Sequence, residues 1–278
     1  TLTQRAGNFS LLFDVDTGFF RSKTLGDGKW TEPFDQYGWG EDYTESGPWQ
    51  YRFYLPYNPI GLSSLYANSN RNMCKELETT MTMPSLFHLG GYGSVIHEQT
   101  EMSDHCFGQY AHNNQPVHYM LYMHMFDGYT GDCSTQGRYY IRKTLTELYR
   151  ADADMFPGDE DNGEMGAWFV LSSLGLYQRS PGSGDFEFGI PLFSRVKIDI
   201  SDVFHSHSHR LADVRRNMPT EQSSSIYLEI IAHNNDIGNT RISTIKWNGE
   251  EVSNKANGIS YKQLAQGGTL EFFLAKPQ

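Results

Sequence analysis

The chain has 278 residues, 38% of them hydrophobic and 14% aromatic, with a formal net charge of −11. That is enough apolar material for one large domain or two modest ones. The acidic balance, with no Lys/Arg cluster, excludes nucleic acid as partner, because phosphate binding wants a basic face. No run of about 18 apolar residues exists to span a membrane.

In chain order, residues 1–48 are rich in Gly, Asp and aromatics. Within them FDVDTGFFRSKTLGDGKW reads as a hairpin turning at Gly26-Asp27-Gly28. Helical character follows around Leu62–Ala67 and Met73–Thr80. Residues 84–113 read as loop, with many Gly and His. VHYMLYMHMFD, residues 117–127, carries Met and aromatics on most faces and predicts a buried helix. QGRYYIRKTLTELYR, residues 136–150, is amphipathic, with Ile141, Leu145 and Leu148 on one face. MGAWFVLSSLGLY predicts a third helix, stopped by Gly175 and Pro181. After about residue 183 the texture becomes strand-like: FEFGI, SRVKIDI, SIYLEIIAH, RISTIKWNGEEV and GTLEFFLA, with an Asn-Gly hairpin turn in KWNGEE. The expected division is 1–182, mainly α with long functional loops, and 183–278, β-rich.

TLTQRAGNFS lacks an initiator Met and a signal-peptide pattern, so a processed chain or part of a longer protein is expected. Cys74, Cys106 and Cys133 show no metal spacing; one disulfide with a free thiol, or three buried thiols, both fit. Asn8-Phe9-Ser10 is the single glycosylation sequon. We expect an extracellular or otherwise extracytoplasmic location. Seventeen Tyr, seventeen Phe and five Trp exceed ordinary packing needs. Rings with polar edges also stack on sugars, beside the plainer reading of an aromatic-rich core.

Three stretches carry candidate chemistry. GDEDNGEMGAW, residues 158–168, puts Asp159, Glu160 and Asp161 in a row. Asp161 with Glu164 makes a capping box ahead of an apolar helix. That leaves Asp159 and Glu160 unexplained, and adjacent carboxylates repel, which invites a cation or a catalytic role. An EF-hand is excluded by Gly163 and by the missing twelfth-position Glu. YTESGPWQY, residues 43–51, surrounds Glu45 with Tyr43, Trp49 and Tyr51. A carboxyl in an aromatic pocket would gain proton affinity and serve as a general acid; the alternative is a surface Glu beside core aromatics. GQYAHNNQPVHYMLY gathers His112, Asn113, Asn114, Gln115 and His118. Amide oxygens suit Ca²⁺, or simply bond the backbone of a polar loop. His112 and His118 have no zinc spacing, and HEQTEM, residues 97–102, lacks the second His of a zinc helix.

Together the three stretches resemble glycoside hydrolase family 92. GDEDNGEMGAWFVLSSLGLYQRSPGSGDFEFGIPLF is similar to its Gly-x-x-Asp-x-Gly-x-Met-Ser-Ala-Trp block and the Pro-Gly turn that follows. YTESGPWQY resembles its Tyr-x-Glu-Gly-x-x-Trp-x-Tyr block, and HNNQPVHYMLY its Asn-Glu-Pro or Asn-Gln-Pro block, in the same order. The resemblance implies a calcium-dependent, inverting exo-α-mannosidase acting on mannose-containing glycans, N-glycan processing included. It also implies a portion of an (α/α)6 toroid, whose remainder comes from a missing N-terminal part or a second chain. Carried over by position, Glu45 is the general acid and Asp161 the general base, with Asp159 as partner or rival. Asn114, Gln115 and Asp159 hold Ca²⁺, and Trp49, Tyr51 and His112 line the sugar site. Four departures stand out: Gly166 for Ser, Ser46 for Gly, Leu176-Tyr177-Gln178 for Phe-Tyr-Pro, and Gln115 for an acidic residue. Competing readings are a non-catalytic glycan-binding or structural relative and another (α/α)6 enzyme such as a glucosidase or phosphorylase.

Overall fold

The computed structural model describes residues 1–127, 131–201, 225–253, 256 and 258–277. It mixes helices with strands, and most strands lie in the C-terminal half. Two compact units divide the chain, one of Thr1–Phe126 with Lys143–Trp168 and one of Asp127–Arg142 with Phe169–Gln278.

The first unit holds helices α1 (Leu2–Ala6), α2 (Pro48–Tyr51), α3 (Pro59–Asn68), α4 (Met73–Thr82) and α5 (His97–His105), and a small hairpin of β1 (Phe13–Asp14) and β2 (Phe19–Phe20). The paired strands turn at residues 15–18, earlier than the sequence suggested, with Gly18 at φ +76°. The Gly26-Asp27-Gly28 stretch does turn the chain as expected, closed by an antiparallel bridge between Lys23 and Trp30 and by backbone bonds from Thr24 to Lys29 and Thr31 to Ser22. Asn58 and Asn72 cap α3 and α4 through side-chain oxygens, which fixes where both helices begin. Helix α5 lies inside the stretch read as loop. Its sequence, HEQTEMSDH, is almost entirely polar, and only Gln99 and Met102 are buried. Met102 packs with Trp39 and Ala111, so tertiary burial creates a helix that the sequence pattern does not announce.

The expected helix at 117–127 is two 3-10 stretches, Gln115–Val117 and Met120–Asp127. Side chains compete there for the carbonyls an α-helix needs. The Trp168 indole donates to the His118 carbonyl at 2.9 Å, and His124 Nδ1 lies 3.2 Å from the Leu121 carbonyl. The expectation of burial holds: Met120, Leu121, Tyr122 and Met123 are completely inaccessible.

The amphipathic segment is α6 (Asp132–Glu147), and the apolar run is α7 (Glu164–Ser173). The run leaves the helix at Ser173 and continues as β3 (Leu174–Tyr177), because Gly175 adopts φ +75°. In the second unit, β3, β4 (Asp185–Pro191) and β9 (Gly258–Ser260) form one sheet. The other sheet has the order β5-β6-β10-β7-β8, where β5 is Arg195–Asp199, β6 Tyr227–His233, β7 Arg241–Trp247, β8 Glu250–Glu251 and β10 Gly268–Ala275. Strand β10 runs parallel to β6 and antiparallel to β7. Leu228, Ile230 and Ala232 alternate inward on β6, as Leu270, Phe272 and Leu274 do on β10. Asn248 at φ +51° makes the expected turn between β7 and β8. The Arg138 and Arg142 side chains of α6 donate to the carbonyls of Phe188, Gly189 and Pro191, satisfying the end of β4.

Cys106 is a free, exposed thiol, while Cys74 and Cys133 are disulfide-bonded. Among the described residues no helix is long and apolar enough to cross a membrane.

Candidate active site

Every candidate residue lies in the first unit, on three irregular stretches. The acidic stretch explains its own crowding. The Glu160 carboxylate accepts from the backbone N–H groups of Gly163 at 2.6 Å and Gly166 at 3.1 Å. Glu160, and not Asp161, therefore caps α7, since it satisfies the unpaired donors of the first turn. Asp161, Asn162 and Gly163 adopt φ +59°, +57° and +99°, three consecutive left-handed residues. Asp and Asn tolerate this conformation better than most residues, which accounts for their presence. Relieved of capping, Asp161 is half-buried. Burial, then repulsion from Asp159, Glu164 and Glu160, raises its proton affinity above the ordinary carboxylate range, with His118 opposing. The Asp159 side chain is 78% exposed, 4.0 Å from His97 Nε2.

The His-Asn-Asn-Gln stretch is anchored at both ends. His112 is fully buried, with Nδ1 2.8 Å from the Tyr110 hydroxyl and Nε2 2.9 Å from that of Tyr149. Its ring also packs 4.3 Å from that of Trp168. Burial, then His118 and His105, drives its pKa well below the usual imidazole value. At the other end, His118 Nε2 meets the His112 carbonyl at 3.0 Å, so this nitrogen carries the hydrogen. Nδ1 faces the Glu164 carboxylate at 2.9 Å, on the first residue of α7. Between the anchors, Asn114 Oδ1 accepts from the Gln115 backbone and its amide donates to Ser46 at 3.2 Å. The Asn113 amide donates to the Glu98 carbonyl and to the Glu101 carboxylate, at 2.9 and 3.0 Å. Asn113 Oδ1 is buried without a hydrogen-bond partner.

The Glu45 stretch is a loop closed by a bond from the Gly40 N–H to the Ser46 carbonyl at 2.8 Å. Glu45 is exposed, so the desolvated aromatic pocket expected around it is absent from this surface. Tyr51 stands beside it, but Trp49 does not. Trp49 is buried against the Phe19 ring at 4.9 Å and the Arg52 guanidinium at 4.8 Å. A second phenol takes its place: the Glu45 charge acts on both Tyr51 and Tyr92. Burial chiefly raises both phenols.

The three stretches thus form one connected set: Ser46 to Asn114, His118 to Glu164, and Asp161 at the turn before α7. Of the expected sugar-lining residues, Tyr51 is half-buried, whereas Trp49 and His112 are buried in the core. The sequence reading left Tyr92, Glu98, Glu101, His97 and His118 without roles. All but Tyr92 and His118 come from α5, and their relation to the site is tertiary. Only the His118–Glu164 pair had a local signal, an apolar stretch interrupted by His118 and His124.

Chemically, the set presents two carboxyl groups on separate loops, one exposed and one of raised proton affinity. That pairing suits proton transfer in both directions. Among the described residues no three His, Cys, Asp or Glu side chains gather as a metal cage. A metal here would depend on amide oxygens. The unpartnered Asn113 Oδ1, beside Asn114 and Gln115, offers oxygen donors of the kind a hard cation takes.

A family model, the glycosyl hydrolase family 92 catalytic domain, matches residues 1–276. An uncharacterized secreted glycosidase of Arthroderma benhamiae is 22% identical, covering 99% of this chain and 32% of that protein. The family GH92 inverting mannosidase BT2199 of Bacteroides thetaiotaomicron superposes with a TM-score of 0.72 at 29% identity, over 99% of this chain and 33% of its own. The family GH92 α-mannosidase BT3965 of the same organism, in complex with mannoimidazole, gives 0.74 at 20% identity, over 98% and 32%. The chain belongs to glycosyl hydrolase family 92 and spans about a third of the length of these relatives.

Proposed function

We propose that this family member carries the acid, the base and the cation-binding loop of a Ca²⁺-assisted α-mannosidase. It removes terminal α-linked mannose from glycans, N-glycans included, with inversion. The observation that carries the reading is the bonded path from Ser46 through Asn114 and His118 to Glu164. It couples the neighbour of the acid to the helix that presents the base.

Glu45, exposed between Tyr51 and Tyr92, donates a proton to the departing glycosidic oxygen. Asp161, or its rival Asp159, takes a proton from the water that attacks the opposite face of the sugar. Inversion places two such carboxyl groups about 6.5–9.5 Å apart, leaving room for that water. The raised proton affinity of Asp161 favours its accepting a proton near neutral pH. Asn114 and Gln115 with Asp159 would hold Ca²⁺, which when bound would engage sugar hydroxyls and help distort the ring. Tyr51 lines the sugar site, with Trp49 and His112 backing it from the core. The region forms part of an (α/α)6 toroid within 1–182, followed by a β-rich region at 183–278. The remainder of the toroid comes from further polypeptide or a second chain, in an extracytoplasmic setting that suits the secreted relative.

The test is mannose release from α-linked mannobioses by the complete natural protein, with Ca²⁺ and with chelator, and by Glu45→Gln. We expect release that chelation abolishes and Ca²⁺ restores, and a variant that binds sugar without turnover. Sugar binding by a wild type that never releases mannose would establish instead the non-catalytic, glycan-binding relative.

A further inference from the structure

Glu45 is exposed, so the backbone of its loop decides where the carboxyl group stands. That backbone runs beside His88-Leu89-Gly90-Gly91-Tyr92. The His88 N–H donates to the Tyr37 carbonyl at 2.8 Å, the Trp39 N–H to the His88 carbonyl at 3.4 Å, and the Gly91 N–H to the Trp39 carbonyl at 2.8 Å. The approach leaves no room for a side chain at two positions. Gly90 takes φ +54°, and a Cβ there would collide with the Trp39 carbonyl oxygen. A Cβ on Gly91 would fall 2.5 Å from the Glu41 amide nitrogen. From the opposite side, a Cβ on Gly40 would meet the Tyr92 ring at 3.3 Å.

Residues 88–92 are themselves anchored. The Gln99 amide donates to the His88 carbonyl at 3.2 Å, and the Gln109 amide to the Pro84 and Leu86 carbonyls at 2.9 and 2.8 Å. His88 Nδ1 lies 2.7 Å from Asp35 Oδ2, which ties the segment to the start of the Glu45 loop. Tyr92 packs on the core of Trp39, Met102 and Ala111, and the Glu45 charge acts on its phenol. A contact between backbones has no side-chain rotamers to absorb a displacement, so it transmits one. Proton transfer needs the donor within hydrogen-bond reach, and a misplacement of about 1 Å can cost on the order of a hundredfold in rate.

We propose that residues 88–92 position Glu45 for donation to the departing oxygen, with Gly90 and Gly91 as the positioning residues. The proposal rests on the reading of Glu45 as general acid. It extends the support of that acid to a stretch distant from it in sequence.

Two substrates separate positioning from plain structural support. A linear α-mannobiose has a leaving oxygen that needs a proton, whereas the leaving group of α-mannosyl fluoride departs with little need of one. In the complete natural protein, Glu45→Gln sets the pattern of a lost acid, with mannobiose turnover falling and fluoride turnover kept. Gly90→Ala and Gly91→Ala should follow it, lowering kcat roughly tenfold or more for mannobiose and less than about twofold for the fluoride. Gly93 takes φ +67° with open space where its Cβ would stand. Gly93→Ala therefore shares the backbone strain of Gly90→Ala without the collision, and should leave the ratio between the substrates unchanged. Should the first two variants fail to fold, Asp35→Ala, which frees His88 and adds no atom, should shift the ratio in the same direction. Equal losses on both substrates, no loss on either, or a ratio shifted as far by Gly93→Ala overturn the proposal. A wild type inactive on both substrates, or a Glu45→Gln that loses both, would instead fail the reading of Glu45, and the proposal falls with it.

Discussion

In the sheet β5-β6-β10-β7-β8, side chains alternate inward and outward while backbone groups pair strand to strand. Its buried residues are aliphatic or aromatic, Ile230, Ile245, Leu270 and Phe272 among them. Around the acidic turn the backbone takes three left-handed residues in succession, and side chains satisfy its donors. Buried residues there are His112, Asn113, Asn114 and His118. The first region derives stability from non-directional burial. The second is held by directional bonds, each of which stabilises little but fixes a position. Substitutions should therefore separate stability from activity in opposite ways.

The sharpest separation is expected at the base. Asp161→Asn should reduce mannose release by roughly 10²–10⁴-fold, the usual range for a lost acid or base. Asp161 binds its proton more tightly in the fold than in the unfolded chain. Its stabilising contribution is therefore complete below the ordinary carboxylate pKa and is lost as pH rises through the raised value. Asn should accordingly raise the melting midpoint at neutral pH, with the gain shrinking on acidification. A lowered neutral midpoint in calorimetry would reverse this account. Phe272→Ala should do the converse, destabilising the protein by about 3–5 kcal/mol in denaturant unfolding while surviving folded molecules keep their turnover number. Parallel loss of both would mean that the sheet and the site do not separate as described.

Glu160→Ala stands between the regions. Losing a helix cap costs about 0.5–2 kcal/mol. Because the cap also shapes the turn, kcat should fall more than the stability change implies. Turnover equal to wild type would show that the Asp161 conformation does not depend on the cap. The smallest effect concerns acid. His112 and His124 are buried and resist protonation, His124 with a pKa of about 4. Below the ordinary imidazole value the unfolded chain binds protons that the fold refuses, so stability should decline as pH falls. His124→Gln should flatten that decline, read from melting midpoints across mildly acidic buffers.

The same contrast governs what the sequence reveals. Strand alternation in YLEIIAH and TLEFFLA, and the Asn248-Gly249 turn, are local patterns with a fixed period, so the sheet is legible. Composition marked the acidic stretch, but not which carboxylate caps the helix, since that depends on Glu160 reaching over the turn to Gly163 and Gly166. Helix α5 was missed because its polar sequence has almost no apolar face. Tyr92 was missed as a neighbour of Glu45 because they are distant in sequence and joined only by folding. The 3-10 stretches escaped because the competing Trp168 indole arrives from far along the chain.

One consequence follows from the double anchoring of residues 112–118. Tyr110 and Tyr149 grip one end, and Glu164 and the Trp168 indole grip the other. The number of residues between those grips cannot change without dragging α7 and its acidic turn out of place. Between the grips, Asn113 and Asn114 add bonds of their own to Glu101 and Ser46, so the spacing also sets where those amides fall. Over evolutionary time this segment should resist insertions and deletions, because its length holds the Asn114 amide against Ser46.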